Sequence, residues 1–275
     1  MKRIYMQDDW PDSWKFSYPY DLLEIYGQLS NRGHAYAYDN RRAQTLRLLT
    51  EALTPGARIL DIAAGQGNFS IALAELGYDV TWNDLREDLA GYVQMKSDRA
   101  TIHYAPGNAF ELTFPSLFDA ILITEIIEHV AHPDAFLVKV AKLTKPGGYI
   151  VMTTPNGAYI KNKLPKFSEC SDPGIYEAIQ FKPNSDGHIF LIHPDEIQTL
   201  AHRAGLEVEE VALFTNPLTK GHMKTAVLLR VLPRRLVKAI ETATQHLKSP
   251  MFNKQFSQMG VRFRKPLSPG SRASA

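Results

Sequence analysis

Between residues 57 and 154 short apolar runs alternate with amphipathic stretches. Arg58–Ile62, Asp79–Trp82, Thr101–Tyr104, Phe118–Thr124 and Tyr149–Thr153 have the length and apolar density of buried strands, whereas Asn68–Leu76, Arg86–Gln94 and Asp134–Leu143 carry helical spacing. Short connections and steady alternation predict a mainly parallel sheet with helices on both faces. Leu46, Leu49 and Leu53 place a helix over Asn40–Leu53. Downstream, Pro194–Ala204 predicts a helix opened by Pro-Asp-Glu and stopped by Gly205, and Leu206–Phe214 alternates as a strand. Met259–Arg264 would close the sheet as its seventh strand. No internal repeat interrupts this order.

The flanks differ from this middle. Residues 1–40 hold Trp10, Trp14, Phe16, Tyr18, Tyr20, Tyr26, Tyr36 and Tyr38 among turn residues, a composition that packs and does not stay disordered. They predict a helical, aromatic cap or lid ahead of a catalytic domain spanning 41–266. Between the last two strands, residues 218–250 form a basic amphipathic insertion: Val227, Leu228, Val231, Leu232, Leu236, Val237 and Ile240 offer an apolar face, and Arg230, Arg234, Arg235 and Lys238 the charge. Residues 267–275 read as an unstructured tail.

Charge sharpens the contrast. The net value is only +2, yet residues 1–214 carry 19 Lys+Arg against 28 Asp+Glu, while residues 215–275 carry 12 against Glu241 alone. An anionic partner for the C-terminal part follows, and the mix of charge with Leu, Ile and Val favours an anionic membrane surface over nucleic acid. The single Cys170 excludes an internal disulfide framework, and with no clear histidine partner in sequence it reads as inert. No apolar run reaches the roughly 18 residues of a membrane span, and the first residues lack an apolar signal core, so cytoplasmic residence with peripheral membrane association is expected.

The chemistry concentrates where the first strand ends. Asp61-Ile-Ala-Ala-Gly65-Gln-Gly67 runs from strand into helix; its glycines let the backbone approach a ligand beside free helix amides. Asp84, nineteen residues past Gly65, ends the second strand and can hold a ribose diol. A dinucleotide enzyme shares that layout, but Ser70 replaces its third glycine. Asp61 inside the strand would repel a pyrophosphate and attract an ammonium or sulfonium.

These residues, with Phe118-Asp119-Ala-Ile-Leu-Ile-Thr-Glu125 and Lys145-Pro-Gly-Gly148, resemble the successive motifs of class I S-adenosylmethionine-dependent methyltransferases over about Arg41 to Phe214. The resemblance implies a Rossmann-like α/β fold with S-adenosylmethionine as cofactor. It further implies cofactor contacts from Arg42, which would grip the methionine carboxylate, and from Asp61, Ala63, Gly65, Gly67, Asn83, Asp84, Ala109 and Thr124. Asn108 stands where the family usually has an adenine-binding aspartate, and its amide oxygen can accept the same hydrogen bond; Phe110 would lie by the adenine face.

Thr124-Glu125-Ile-Ile-Glu128-His129 ends the fourth strand. Spacings of three and four would put Glu125, Glu128 and His129 on one face of a helical turn, as a hydrogen-bonded helix start or as a site for Mg²⁺ or Mn²⁺. Resemblance to ubiquinone-pathway O-methyltransferases, and to the methyltransferases of the terminal ribose of small RNAs, adds His188 as a fourth metal ligand. His193 reads as a helix-entry residue. The expected function is methyl transfer from S-adenosylmethionine to a hydroxyl of a lipid-linked, phenolic or sugar acceptor, assisted by Mg²⁺, with Glu125 and His129 catalytic. Methylation of an RNA ribose 2′-hydroxyl is the rival, and a non-catalytic partner subunit keeping the fold is a third reading.

Overall fold

The computed structural model describes residues 1–28, 30–98, 101–180, 187–222, 224–246 and 253–267. Helices Asp12–Glu24 (α1) and Arg32–Thr50 (α2) precede the alternating region. Then come Arg58–Ile62 (β1), Asn68–Glu75 (α3), Asp79–Asn83 (β2), Leu89–Lys96 (α4), Ile102–Tyr104 (β3), Phe118–Thr124 (β4), Pro133–Leu143 (α5) and Thr144–Pro155 (β5). Ile197–Arg203 (α6), Glu207–Phe214 (β6), Pro217–Lys220 (α7), Leu228–Val231 (α8), Arg234–Gln245 (α9) and Gln258–Arg264 (β7) complete the order.

The strands form one sheet, β3-β2-β1-β4-β5-β7-β6. β1 to β5 run parallel, and β7 pairs antiparallel with both β5 and β6. Alternate strand residues bury on opposite faces. Leu60, Ile62, Ile121, Ile123, Ile150 and Met152 pack with α5 and α6, whereas Ile59, Val80, Ala120, Leu122 and Val151 pack with Leu48, Leu49, Phe69 and Leu73 of α2 and α3. Both faces being covered explains the near-continuous apolar strands. Chain order reverses between β1 and β4, so a crevice opens beyond the carboxyl ends of these two strands.

All seven expected strands form, with α2 and β5 longer than expected. Asn31 accepts a hydrogen bond from the His34 amide and starts α2 at Arg32, so Tyr36 and Tyr38 lie inside this helix. α4 begins at Leu89, after a turn through Arg86, and α6 at Ile197, after a turn in which Glu196 accepts from the His193 amide. Trp10, Trp14 and Tyr18 pack on Tyr92 of α4, with ring centroids 5.8 Å and 5.9 Å from Tyr92 for the two tryptophans.

The insertion leaves β6 and returns as β7. Its apolar residues divide: Leu229 and Val237 bury against Tyr36, while Val227, Leu228, Val231 and Leu236 stay exposed. Buried Glu241 accepts from the amides of Thr215 and Asn216 and from the Thr219 hydroxyl at 2.6 Å, fastening α9 to the end of β6. The expected tail lies largely outside the described residues, as do 247–250 of the insertion.

Candidate active site

The glycine turn is built for close approach. Ala63, Gly65 and Gly67 all adopt positive φ, at 55°, 51° and 68°. A Cβ on Gly67 would also meet Val93 at 2.6 Å, so α3 and α4 would be forced apart. Ala63 takes this conformation without glycine's freedom, a local strain of the kind stored at functional sites. Trp82 donates its indole N–H to the Gly65 carbonyl at 3.1 Å, steadying the turn from β2.

Asp84 follows β2 and is buried. Its Oδ2 accepts from the Gly65 amide and Oδ1 from the Arg86 amide, both at 2.9 Å, while the half-exposed Arg86 guanidinium lies 3.0 Å from Oδ1. Asn83 donates to the carbonyls of Ala105 and Gly107, so its side chain holds the loop after β3 and presents no free amide N–H to a ligand. Asn108 accepts from the Phe110 amide at 3.1 Å, closing a turn that sets Ala109 and Phe110 beside the crevice. Leu85, with 57% of its surface exposed right after Asp84, is an apolar face that motif reading passed over.

Asp61 is almost wholly buried. Oδ2 accepts from the Ser70 hydroxyl at 2.6 Å, whereas Oδ1 has no partner among the described residues. Burial first, and the Asp84 charge after the opposing Ser70 hydrogen bond, push its carboxyl up to about 7.

Sequence reading missed the support beneath the turn. Lys96 and Asp21 are fully buried and paired at 2.6 Å; Lys96 Nζ also donates to the Gln66 carbonyl at 2.9 Å and to Asn68 at 2.6 Å. Tyr92 and Asn68 donate to the two oxygens of Asp21. One network thus ties α1 to the glycine turn and to α4.

Across the crevice, Glu125 follows β4 at φ 52°, and its carboxylate faces Arg41 at 3.0 Å. Glu24 stands behind, 3.6 Å from Arg41 and 3.0 Å from His34. Arg41 lines the cleft, and Arg42, the arginine expected to grip the cofactor carboxylate, follows it in α2 and is half-buried. Glu125, Glu128 and His129 do not share a helical face either. Ile127–His129 is a single 3₁₀ turn that buries Glu128 and leaves Glu125 directed at Arg41.

His188 does arrive. The Ile189 amide donates to the Glu128 carbonyl at 2.7 Å, and the rings of His129 and His188 meet with centroids 4.8 Å apart. One donor atom each from Glu128, His129 and His188 lies within 4.8 Å of the others. Glu128 Oε2 accepts from the Thr154 hydroxyl, Oε1 has no partner among the described residues, and burial followed by the Glu125 charge raises this carboxyl well above its ordinary range. A buried, half-satisfied carboxylate beside two imidazoles fits a divalent cation. Asp119 and Lys145, by contrast, pair at 2.6 Å at the amino end of β4, far along the strand from this cluster. Above it lies a cleft of about 380 Å³, lined among others by Tyr38, Arg41, Glu125, Tyr159, His188 and Lys220.

A family model described as a methyltransferase domain matches residues 33–211. The ubiquinone biosynthesis O-methyltransferase of Dechloromonas aromatica is 32% identical over 173 residues, covering 61% of this chain and 72% of that protein. The protein of the same name from Pseudomonas aeruginosa strain UCBPP-PA14 is 33% identical over 179 residues, with 62% and 73% covered. Among solved structures, N-methyltransferase NodS from Bradyrhizobium japonicum bound to S-adenosyl-l-homocysteine superposes with a TM-score of 0.53 at 14% identity, over 93% of this chain and 100% of that one. The [4+2]-cyclase SpnF superposes at 0.55 with 16% identity, over 93% and 97%. At such identities these two structures speak to the fold alone.

Proposed function

The chain belongs to the S-adenosylmethionine-dependent methyltransferases, and from that premise we propose that it transfers the methyl group to a hydroxyl oxygen of a small acceptor held in the cleft above Glu125. The observation carrying this reading is that Glu128, His129 and His188 converge at the carboxyl end of β4, next to the strand whose turn cradles the cofactor.

The residues present fit the cofactor. Asp61 keeps a buried oxygen without a partner among the described residues for a cationic ligand, and the turn above it runs at positive φ through Gly65 and Gly67. Asp84 would take the ribose hydroxyls in place of the exposed Arg86 side chain that it now holds, and Leu85 with the Asn108–Phe110 turn would flank the base. When bound, S-adenosylmethionine supplies an electrophilic methyl group on a sulfonium.

The protein's remaining tasks are alignment and proton removal. Without a cation His129 is the candidate base of the cluster, and Glu125, held by Arg41, fixes one wall against which the hydroxyl is aligned. Glu128, His129 and His188 would hold Mg²⁺ or Mn²⁺, whose Lewis acidity lowers a hydroxyl pKa. Glu24 and Asp21 support a cap role for the N-terminal segment, since one braces Arg41 and the other the glycine turn.

No helix among the described residues is long and apolar enough to cross a membrane. The exposed Val227, Leu228, Val231 and Leu236 beside Arg230 and Arg235 support peripheral contact with an anionic bilayer. The test is incubation with methyl-labelled S-adenosylmethionine and panels of catechols, sugars and lipid-linked phenols. Label on oxygen is expected; label confined to nitrogen or carbon, or transfer to none, refutes the reading.

A further inference from the structure

The cleft has more positive charge than its chemistry so far requires. Arg41, Lys161, Lys163 and Lys220 line it against the single carboxylate of Glu125. Glu125 is engaged by Arg41, and neither Lys220, Lys161 nor Lys163 makes an ion pair among the described residues. Methyl transfer to a neutral hydroxyl gains nothing from three such ammonium groups. Moreover, Lys220 is largely withdrawn from water, and burial lowers its pKa, an effect an incoming anion would reverse.

The backbone segments that carry these lysines are held in place. Lys220 ends α7, whose first turn is capped by Asn216, and Gly221 then turns the chain at φ 72°. A Cβ on Gly33 would come within 2.3 Å of the Lys220 carbonyl, so α7 rests directly on the start of α2. Opposite, the Tyr159 hydroxyl meets His222 Nδ1 at 2.6 Å, and Asn162 donates to the Gly157 carbonyl at 2.7 Å. That bond and the Leu164 amide's bond to Asn162 shape the loop carrying Lys161 and Lys163. Burial and the charges of Lys161 and Lys220 lower the His222 pKa, so it adds no competing positive charge at neutral pH.

We propose that the acceptor carries an oxyanion, a carboxylate or a phosphate monoester, which Lys220 binds with Lys161 and Lys163 while Glu125 and His188 border the reacting hydroxyl. This rests on the cleft being the acceptor site, and it narrows the acceptor to an anionic class. The cofactor's own carboxylate is the competing claimant for these lysines, and it is separable by experiment.

The full chain, saturated with S-adenosylhomocysteine, is titrated calorimetrically with benzoate, with inorganic phosphate and with neutral benzamide. At least one anion should saturate and benzamide should not; Lys220→Met should weaken the anion about tenfold, with Lys220→Arg retaining it. A preference for phosphate or for benzoate identifies the source of the charge. The proposal is overturned if neither anion saturates, if benzamide binds equally, or if Lys220→Met changes nothing. Loss of S-adenosylhomocysteine affinity in Lys220→Met overturns it in favour of the cofactor carboxylate. Competition by short single-stranded RNA below the concentrations of both small anions overturns it in favour of nucleic acid. Anion binding without methyl transfer to any hydroxyl would leave this site standing and remove the proposed O-methylation.

Discussion

Replacing Asp61 by Asn should change both stability and cofactor affinity, each with a particular pH dependence. The folded carboxyl lies near 7, against an ordinary 3.8 in the unfolded chain, because burial and Asp84 outweigh the Ser70 hydrogen bond. From about pH 4 to about pH 7 the folded state therefore holds a proton the unfolded state has released, so stability falls as pH rises and levels off above. About three units correspond to about 4 kcal/mol as an upper bound. Asp61→Asn removes that slope, so it should match or exceed the parent in urea stability at about pH 8. Cofactor binding runs the other way. A cationic ligand favours the ionised carboxylate, so affinity in the parent should climb by up to about tenfold per pH unit below 7 and binding should release a proton. Calorimetry in two buffers of different ionisation enthalpy reads that proton directly. The Asn variant should bind weakly and without pH dependence. Parent affinity that is flat from about pH 5 to about pH 8, with no proton released, would refute the assignment of Asp61 to the cofactor.

Lys96→Met should lower urea stability by about 3–5 kcal/mol, since it strands Asp21 as a buried unpaired charge, and pairing it with Asp21→Leu should restore part of the loss. Chelation with EDTA should abolish methyl transfer and Mg²⁺ or Mn²⁺ restore it, with His188→Ala as damaging as His129→Ala; full activity in EDTA with only His129→Ala impaired leaves His129 acting as a base alone. Co-sedimentation with anionic vesicles should weaken with salt and fall when Val231 and Leu236 are replaced by Ser, whereas equal sedimentation with neutral vesicles would exclude the basic surface as its cause.

The alternation of strands and helices was legible because it is local: Asp61, Gly65, Gly67 and Asp84 announce a strand end and a tight turn wherever the chain goes next. What escaped depends on distance or on helix phase. Asp21 and Lys96 are separated by 75 residues, and nothing near either marks a buried ion pair. Arg41 and Arg42 are neighbours and both half-buried, and the phase of α2 from its start at Arg32 brings Arg41 to Glu125 in the cleft. Glu125 was expected on a helical face, but the positive φ after β4 sends it to Arg41, a choice set by the Glu125 amide bonding back to the Thr153 carbonyl at 2.8 Å. His188 could be placed beside His129 only through resemblance, because the bond that brings it there joins the Ile189 amide to the Glu128 carbonyl across sixty-one positions of sequence.

The insertion shows the same limit from the other side. Its charge was visible as an excess of Lys and Arg, which suggested one basic surface. In three dimensions the charges do different work. Arg234 pairs with Asp39 of α2, Arg230 and Arg235 face outward, and Lys220 turns into the cleft. Membrane contact and acceptor recognition are therefore separable properties of one segment: substituting Val231 and Leu236 addresses the first without touching the lining of the cleft, and substituting Lys220 addresses the second without touching the exposed apolar stripe.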